Sequence, residues 1–465
     1  MAEHETPGRF KDQIRAALLD GTLQRVVEHA TDITLEKRQS LKAEMTNWEE
    51  LRDQARELKM YCLDWLPQLL EQFESALRDR GGKVHWAVDG SAARDIILDL
   101  ARRRKVRLVV KGKSIMSEEI ELRPALEAAG IEALETDLGE FIVQLQGKMP
   151  SHITAPALHL SRQQIGRLFE EKLGIPYSED PVELTAAARK HLRSKFLDAD
   201  MGIIGANFLV AETGTIVSVE NEGNIRLSSN LPPLVICVAG IEKVIPALPD
   251  LYPLLKLLGP HGTGQRATAA VSMLTGVRGK SEPHGPEELH VVLIDNGRSR
   301  IAVDHEMREA LTCIRCGSCL NICPVFRRVS GHAYGSVNPG PIGAVLTPLL
   351  VGFAEAGDLP FGSSLCGACA EVCPVRIPIP ELLLRLRGRI ARERGGLGER
   401  LAMRGAAAAW RRPYLYRRGA KSAARLWPLV GGLLGKTLLK AWCKERRLPP
   451  PAGMSFNAAW RQEEH

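Results

Sequence analysis

Along the first 80 or so residues, apolar side chains return every three or four positions. KDQIRAALLDGTLQRVVEHATDI and WEELRDQARELKMYCLDWLPQLLEQFESALRDR both carry this spacing, which predicts a helical lead-in packed on the domain behind it. Gly81-Gly82 closes that region. From Val84 the period changes. VHWAV predicts a short strand, SAARDIILDLARRRK a helix opened by a serine cap, and VRLVVKG a second strand. SEEIELRPALEAAG then predicts a helix closed by glycine, and IEALE a third strand. Strand patterns return at FLVAETGTIVSVEN, with a turn at Gly214, then at PPLVICVAG and LHVVLIDNG. Strands alternating with helices predict a parallel α/β sheet over residues 81–300.

Beyond residue 300 the pattern is helical again. A helix is expected from Ile342 to Ala356 and another over PELLLRLRGRIARERG, giving a helical module over residues 301–390. Residues 391–465 form a basic region interleaved with Trp410, Tyr414, Tyr416, Trp427, Trp442 and Trp460.

The chain's 465 residues are enough for about three domains. With 45% hydrophobic and 25% charged residues it has the composition of a soluble globular protein with a full-sized core. The opening MAEHETPGRFKDQIR has no apolar signal-peptide core, and no segment reaches the ~18 apolar residues of a membrane span. LWPLVGGLLGKTLLKAW is too short and charged to cross a bilayer but suits a membrane surface. The net charge of +7 is concentrated between Arg385 and Arg425, where only Glu393 and Glu399 oppose the arginines and lysines. Such a tail suits an acidic protein partner, an anionic lipid surface or nucleic acid, although no nucleic-acid-binding signature accompanies it.

Cysteine usage changes the picture most. Seven of the ten cysteines lie in two runs, and Cys62, Cys237 and Cys443 are scattered. The distribution is not a secreted disulfide framework, so a reducing cytosol is the expected compartment. The first run, Cys313-Ile-Arg-Cys316-Gly-Ser-Cys319-Leu-Asn-Ile-Cys323-Pro324, has the spacing of two-cluster bacterial ferredoxins. Three cysteines on one tight loop reach three corners of an iron–sulfur cubane, and the fourth, before proline, serves the other cluster. The second run, Cys366-Gly-Ala-Cys369-Ala-Glu-Val-Cys373-Pro374, is one cysteine short, with Ser363 in the remaining position. The crossed pattern gives Cys313, Cys316, Cys319 and Cys373 to one cluster and Cys323, Cys366 and Cys369 to the other. The fourth corner of the second cluster falls to Ser363, to water, to another group or to nothing; an empty corner would allow a three-iron cluster. Zinc ribbons use two C-x-x-C knuckles rather than a triple run ending in Cys-Pro.

Two phosphate-like motifs fail on context. Gly112-Lys113-Ser114 ends like a P-loop, but Arg107 stands where its first glycine belongs. Gly262-Thr263-Gly264 follows a helical pattern rather than a strand. His152 and His159 are read as core or surface histidines rather than zinc ligands. Polar clusters instead mark a pocket in the α/β domain: Lys111 to Ser114, Ser117 to Glu119, Glu135 to Glu140, Pro150 to Ile153, Asn207, Glu212 to Thr215, Asn221 to Asn224, and Asp295 to Arg298. Several follow a strand, where open α/β sheets bind ligands.

The motifs KGKSIMSEEIEL, ETDLGEFIVQL, PSHITAPALH, GANFLVAETGTIVSVENEGN, GIEKVIPALPD and PEELHVVLIDNGRSRI, with both cysteine runs and the ending RRLPPPAGMSFNAAW, resemble the lactate utilization protein B family over nearly the whole chain. This family comprises iron–sulfur proteins of bacterial L-lactate oxidation. The resemblance implies an α/β domain with a CoA-transferase/isomerase-like fold (a LUD domain), then a double [4Fe–4S] module whose seven-cysteine pattern is normal for the family. Both clusters are therefore expected to be cubanes. It also implies two sister subunits as partners: a cysteine-rich protein of the heterodisulfide-reductase kind and a second LUD-domain protein. The expected role is an electron-transfer subunit between L-lactate and a respiratory acceptor, cytoplasmic or peripheral at the inner face of the membrane. No flavin or nicotinamide motif accompanies it. The rival reading is an enzyme whose α/β pocket binds a hydroxyacid or acyl substrate through Lys111, Lys113 and Arg298, with Glu212 or Glu220 as base or nucleophile. A third reading is a nucleic-acid-binding regulator acting through the basic tail.

Overall fold

The computed structural model describes residues 10–436, 449–450, 452, 454 and 456–463. It divides into two compact units, Met1–Gly388 and Arg389–His465.

Six parallel strands form the main sheet of the first unit: β1 (Lys83–Ala87), β2 (Leu108–Lys111), β3 (Glu132–Glu135), β4 (Met201–Gly205), β7 (Leu234–Gly240) and β10 (Glu288–Ile294). Their order is β1-β10-β7-β4-β2-β3. The chain runs from β2 out to the β3 edge and then returns to lay β4 on the other side of β2. This reversal opens a crevice at the carboxyl ends of β2 and β4. One face of the sheet packs on the helices Gly90–Arg103 and Leu122–Ala128, and the other on Leu138–Gln146, Arg162–Leu173 and Pro181–Asp198. Both faces being covered explains why β7, LVICVAG, is apolar throughout and buried at every position. A smaller sheet is built from β5 (Phe208–Val210), β6 (Thr215–Glu220), β8 (Val244–Ile245) and β9 (Ala270–Leu274), in the order β8-β5-β6-β9.

Local departures from the pattern have local causes. The helix after β1 is capped by Asp89, which accepts from Ala92 N at 2.9 Å, rather than by Ser91. The segment expected as one helix between β2 and β3 is two, Ile115–Glu119 and Leu122–Ala128, divided at Glu121 with φ 50°. Pro124 brings no N–H and fits only the first turn of a new helix. Likewise Gly352, at φ 96°, splits the helix expected at Ile342–Ala356 into Gly340–Val351 and Phe353–Ala356. β4, MGIIG, has no strand signature in the sequence: five residues with a glycine near each end carry too little periodicity.

Four N-terminal helices precede the sheet: α1 (Phe10–Leu19), α2 (Gly21–Glu44), α3 (Trp48–Asp64) and α4 (Leu66–Asp79). They do more than pack on the α/β domain. α4 lies on β1 and β8, while α2 lies on the helices Ser318–Ile322 and Phe326–Val329 of the cysteine module. α3 bridges the two. Lys59 donates to Glu242 O at 2.8 Å on the sheet side. Buried Arg52 donates to Glu371 O at 2.8 Å and Cys373 O at 2.9 Å in the second cysteine run. Arg56 adds Arg376 O at 2.8 Å and Glu309 at 2.7 Å.

The second unit contains the helices Leu397–Trp410, Pro413–Lys436 and Phe456–Glu463. Among the described residues no helix is long and apolar enough to cross a membrane. Trp442 and Cys443 lie outside the described residues.

Candidate functional site: a two-run cysteine module against an α/β cavity

Each cysteine run sits at the start of a short helix, Ser318–Ile322 or Ala368–Glu371, entered through a left-handed glycine. Gly317 has φ 78° and Gly367 φ 89°, a turn that only glycine makes without strain. The thiols sort into two groups that cross between the runs. Burial raises the Cys319 thiol, and Cys313, Cys316 and Cys373 push it further up as like charges. Cys316 is raised by burial and then by Cys373 and Cys313. Cys369, raised to about 12 by burial, has Cys323 and Cys366 as its neighbours. Among the described residues no three His, Cys, Asp or Glu side chains converge on the position of a single metal ion.

The surroundings suit a buried anionic cluster. Backbone N–H groups aim at sulfur: Arg315 N at Cys313 Sγ (3.4 Å), Phe326 N at Cys323 Sγ (3.5 Å) and Ile377 N at Cys373 Sγ (3.3 Å). These bonds stabilise thiolate charge. Arg38 lies over the Trp48 ring, within electrostatic reach of Cys316, and its buried Nε has no acceptor among the described residues. An orphaned donor here fits a cluster sulfide as its partner. His152 braces the first run, with its Nε2 3.1 Å from Asn321 Oδ1 while Nδ1 accepts from Thr154 N at 3.1 Å. Burial first, then Lys113, hold this imidazole neutral with a pKa of about 3. His159 bonds Ser151 Oγ at 2.8 Å and packs on His332, so His152 and His159 are both buried core residues with separate partners.

The α/β domain has a cavity of about 200 Å³ at the carboxyl ends of β2, β3, β4, β7 and β10, the crevice the topology opens. It is lined by Lys113, Asp137, Asn207, Glu222, Lys243 and Arg298 among others, and by Arg315, which sits between Cys313 and Cys316. The pocket therefore ends against the first cysteine run. Arg298 is a structural wall rather than a free cation. It is fully buried, holds Glu119 through two 2.8 Å bonds and reaches Glu242 at 2.8 Å. Burial would raise Glu242, but Arg298 overrides it and brings the carboxyl down to about 2. A side chain on Gly240 would stand 2.1 Å from Glu242 Oε2, so this pairing requires glycine there.

Of the sequence candidates, Lys113, Glu220 and Arg298 line the cavity, and Lys111 and Glu212 do not. Lys111 points to the other side of β2 into a carboxylate cage, 2.9 Å from Glu118 and Glu135 and 3.7 Å from Glu140. Glu212 is exposed and accepts from Leu248 N at 3.4 Å. Glu220 is occupied structurally, accepting from Ile225 N at 2.8 Å and Ser272 Oγ at 2.8 Å. Lys113 donates to Thr154 O at 2.7 Å. Ser114 caps the helix Ile115–Glu119, accepting from Ser117 N at 3.2 Å.

Sequence reasoning missed Lys243. Its ammonium faces the cavity with no hydrogen-bond partner among the described residues, and burial lowers it to about 8 against the opposing pull of Glu242. Its position just past the C-terminus of β7 was the available signal. Glu222, from the Asn221–Asn224 cluster, is raised first by burial and then by Asp137.

Comparison with known proteins gives three adjoining matches. Residues 70–294 match the LUD domain family, 309–377 the 4Fe-4S dicluster domain, and 385–465 the C-terminal domain of lactate utilisation protein B. The cysteine region 313–373 thus carries two [4Fe–4S] clusters. The chain is 43% identical to lactate utilization protein B of Shouchella clausii over 453 residues, covering 96% of this chain and 95% of that one. It is 42% identical to the protein of the same name from Bacillus cereus strain AH820, covering 96% of each. A DUF162 family protein from Deinococcus radiodurans aligns with 49% of this chain and 98% of its own, at 16% identity and a TM-score of 0.29; at that level it bears on neither fold nor function.

Proposed function

The chain belongs to the lactate utilization protein B family, and on that premise we propose that it is an electron-transfer subunit in the oxidation of L-lactate to pyruvate. When bound, the two [4Fe–4S] clusters supply one-electron redox steps. Cys313, Cys316, Cys319 and Cys373 hold the first and Cys323, Cys366 and Cys369 hold the second. The observation that carries this reading is the crossed grouping of thiols, with Cys373 beside the first run and Cys323 beside the second. Ligation by Cys373 couples the second run to the first cluster, and Arg52, bonded to Cys373 O, fixes that crossing from α3. The N–H donors at Cys313, Cys323 and Cys373 offset added negative charge and so favour the reduced state.

Two sister subunits, one cysteine-rich and one with a second LUD domain, would supply the two-electron step. The basic, aromatic second unit is a fitting surface for an acidic partner or the inner face of the membrane. The test is low-temperature EPR of anaerobically purified protein after adding L-lactate, with and without the sister subunits. Reduction only in their presence supports a relay. Clusters that dithionite reduces and lactate never does, even in the full complex, overturn the substrate assignment.

A second reading has its own observation, the contact of the α/β cavity with Arg315 in the first run. A small carboxylate held by Lys243 and Lys113 would lie beside the first cluster, with Glu222 as the nearby base. Reduction of the isolated chain by lactate would favour it, provided that Lys243→Met abolishes that reduction and leaves reduction by dithionite intact.

A further inference from the structure

The two cysteine runs are repeats in backbone as well as in spacing. Cys316, Cys319 and Cys323 stand at intervals of three and four residues, as do Cys366, Cys369 and Cys373, and Ser363 precedes Cys366 by the three residues that separate Cys313 from Cys316. A single 3-10 turn leads into each run, Arg308–Thr312 ending on Cys313 and Leu359–Gly362 ending on Ser363. Both first positions combine a negative φ with a large positive ψ, φ −59° and ψ 121° at Cys313 and φ −93° and ψ 138° at Ser363. The next matching pair is more telling. Arg315 and Leu365, neither of them glycine, are left-handed with φ 59° and 58°. Side-chain-bearing residues resist that region, at a cost on the order of 1 kcal/mol, so a shared departure points to a shared demand.

The side chains complete the match. Arg315 N donates to Cys313 Sγ at 3.4 Å, and Leu365 N donates to Ser363 Oγ at 3.1 Å. Ser363 Oγ thus stands to its loop as the Cys313 sulfur stands to its own. Arg387 secures the loop from behind, its guanidinium donating to Pro360 O at 2.9 Å and Ser363 O at 2.7 Å.

We propose that Ser363 Oγ is the fourth ligand of the second cluster, completing the set Cys323, Cys366 and Cys369, so that this cluster is a cubane with one oxygen-ligated iron. The proposal rests on the cysteine grouping given above. On binding, the Oγ–H bond breaks, its proton passes to solvent and an Oγ–Fe bond forms, with no change in electron count. The positive iron makes the alkoxide accessible at neutral pH, as it does for a coordinated thiol or water. A hard oxygen donor favours ferric over ferrous iron. The second cluster is therefore harder to reduce than its all-cysteine counterpart, which sets the two clusters apart in potential.

The test is 57Fe Mössbauer and EPR spectroscopy of the anaerobic, cluster-loaded full chain as wild type, Ser363→Cys, Ser363→Ala and the neighbouring control Ser364→Ala. The wild type and Ser364→Ala are expected to show one iron site distinct from the thiolate-ligated sites. That distinct site should vanish in Ser363→Cys without loss of iron. Ser363→Ala is expected to lose the unsupported iron corner on mild oxidation and yield the EPR signal of a three-iron cluster. Wild type and Ser363→Cys with the same Mössbauer spectrum would overturn the proposal, even if Ser363→Ala fails to fold. Cys369→Ala should lose the second cluster alone; its retention would overturn the grouping and the proposal with it.

Discussion

Replacing Lys111 with methionine tests whether its charge serves the α/β fold or a ligand. The ammonium is wholly buried, 2.9 Å from Glu118 and Glu135 and 3.7 Å from Glu140, and the last two side chains are each 4% exposed. Burial alone would lower its pKa, but the three carboxylates more than offset that and raise it. Even so, burial pushes Glu135 and Glu140 above the usual carboxylate range, with Lys111 pulling them down. Lys111→Met removes the nearest counter-ion of those carboxylates and leaves Glu135 only the more distant Arg123, at 3.9 Å, a loss of about 3–5 kcal/mol for a buried pair broken on one side. For a domain of this size that is a fall in Tm of roughly 6–20 °C. The sign with pH follows from the raised pKa values. Such groups contribute stability that is fully present below the unfolded value and is lost as pH rises through the folded one. Removing Lys111 raises them further, so the deficit relative to wild type grows from mildly acidic to neutral pH, by up to ~1.4 kcal/mol per unit for each proton involved. Thermal unfolding of the cluster-loaded protein, followed by circular dichroism from pH 5 to 8, measures this. Adding Glu135→Gln and Glu140→Gln to Lys111→Met should recover much of the loss. A Lys111→Met variant of unchanged Tm that no longer responds to lactate would refute the reasoning and return Lys111 to a ligand site.

Cys373→Ala, though in the second run, should abolish the cluster of the first and cut iron from about eight atoms per chain to about four; iron analysis with EPR decides, and loss of the second cluster instead would break the crossed assignment. Arg298→Met should cost about 3–5 kcal/mol by stranding Glu119 and Glu242. Because Glu242 is depressed to about 2, its contribution is present above the usual carboxylate value and lost as pH falls toward 2, and denaturant midpoints between pH 3 and 7 should show that dependence disappear in the variant. His261 stacks on Trp48 and is held neutral, at about 3, by burial and then by Arg38. Its stability contribution is present above the unfolded value near 6.5 and is lost as pH falls toward 3, so His261→Phe should flatten the acid limb of the stability profile by about 1.4 kcal/mol per pH unit.

Chemistry that depends on short-range order was legible in the chain itself. The cysteine runs are such a case, because a cubane's corners dictate spacing along one loop, and Gly317 and Gly367 mark its left-handed turn. The parallel α/β domain was legible too, since β1, β2, β3, β7 and β10 are apolar runs separated by periodic helices, while β4 was too short to register. Tertiary structure decided the rest, for reasons of direction and distance. On β2 and the loop that follows it, Lys111 and Lys113 carry the same charge two residues apart, yet one enters a carboxylate cage and the other the cavity, according to which elements lie beside them. Arg52 meets Cys373 from 321 residues away, and no local pattern encodes that contact. The cavity's end against Arg315 is likewise a product of chain reversal at β2 and β4, which brings strand ends and the first cysteine run to one place. Sequence specified which groups could hold a cluster; packing alone determined what lies within an electron's reach of it.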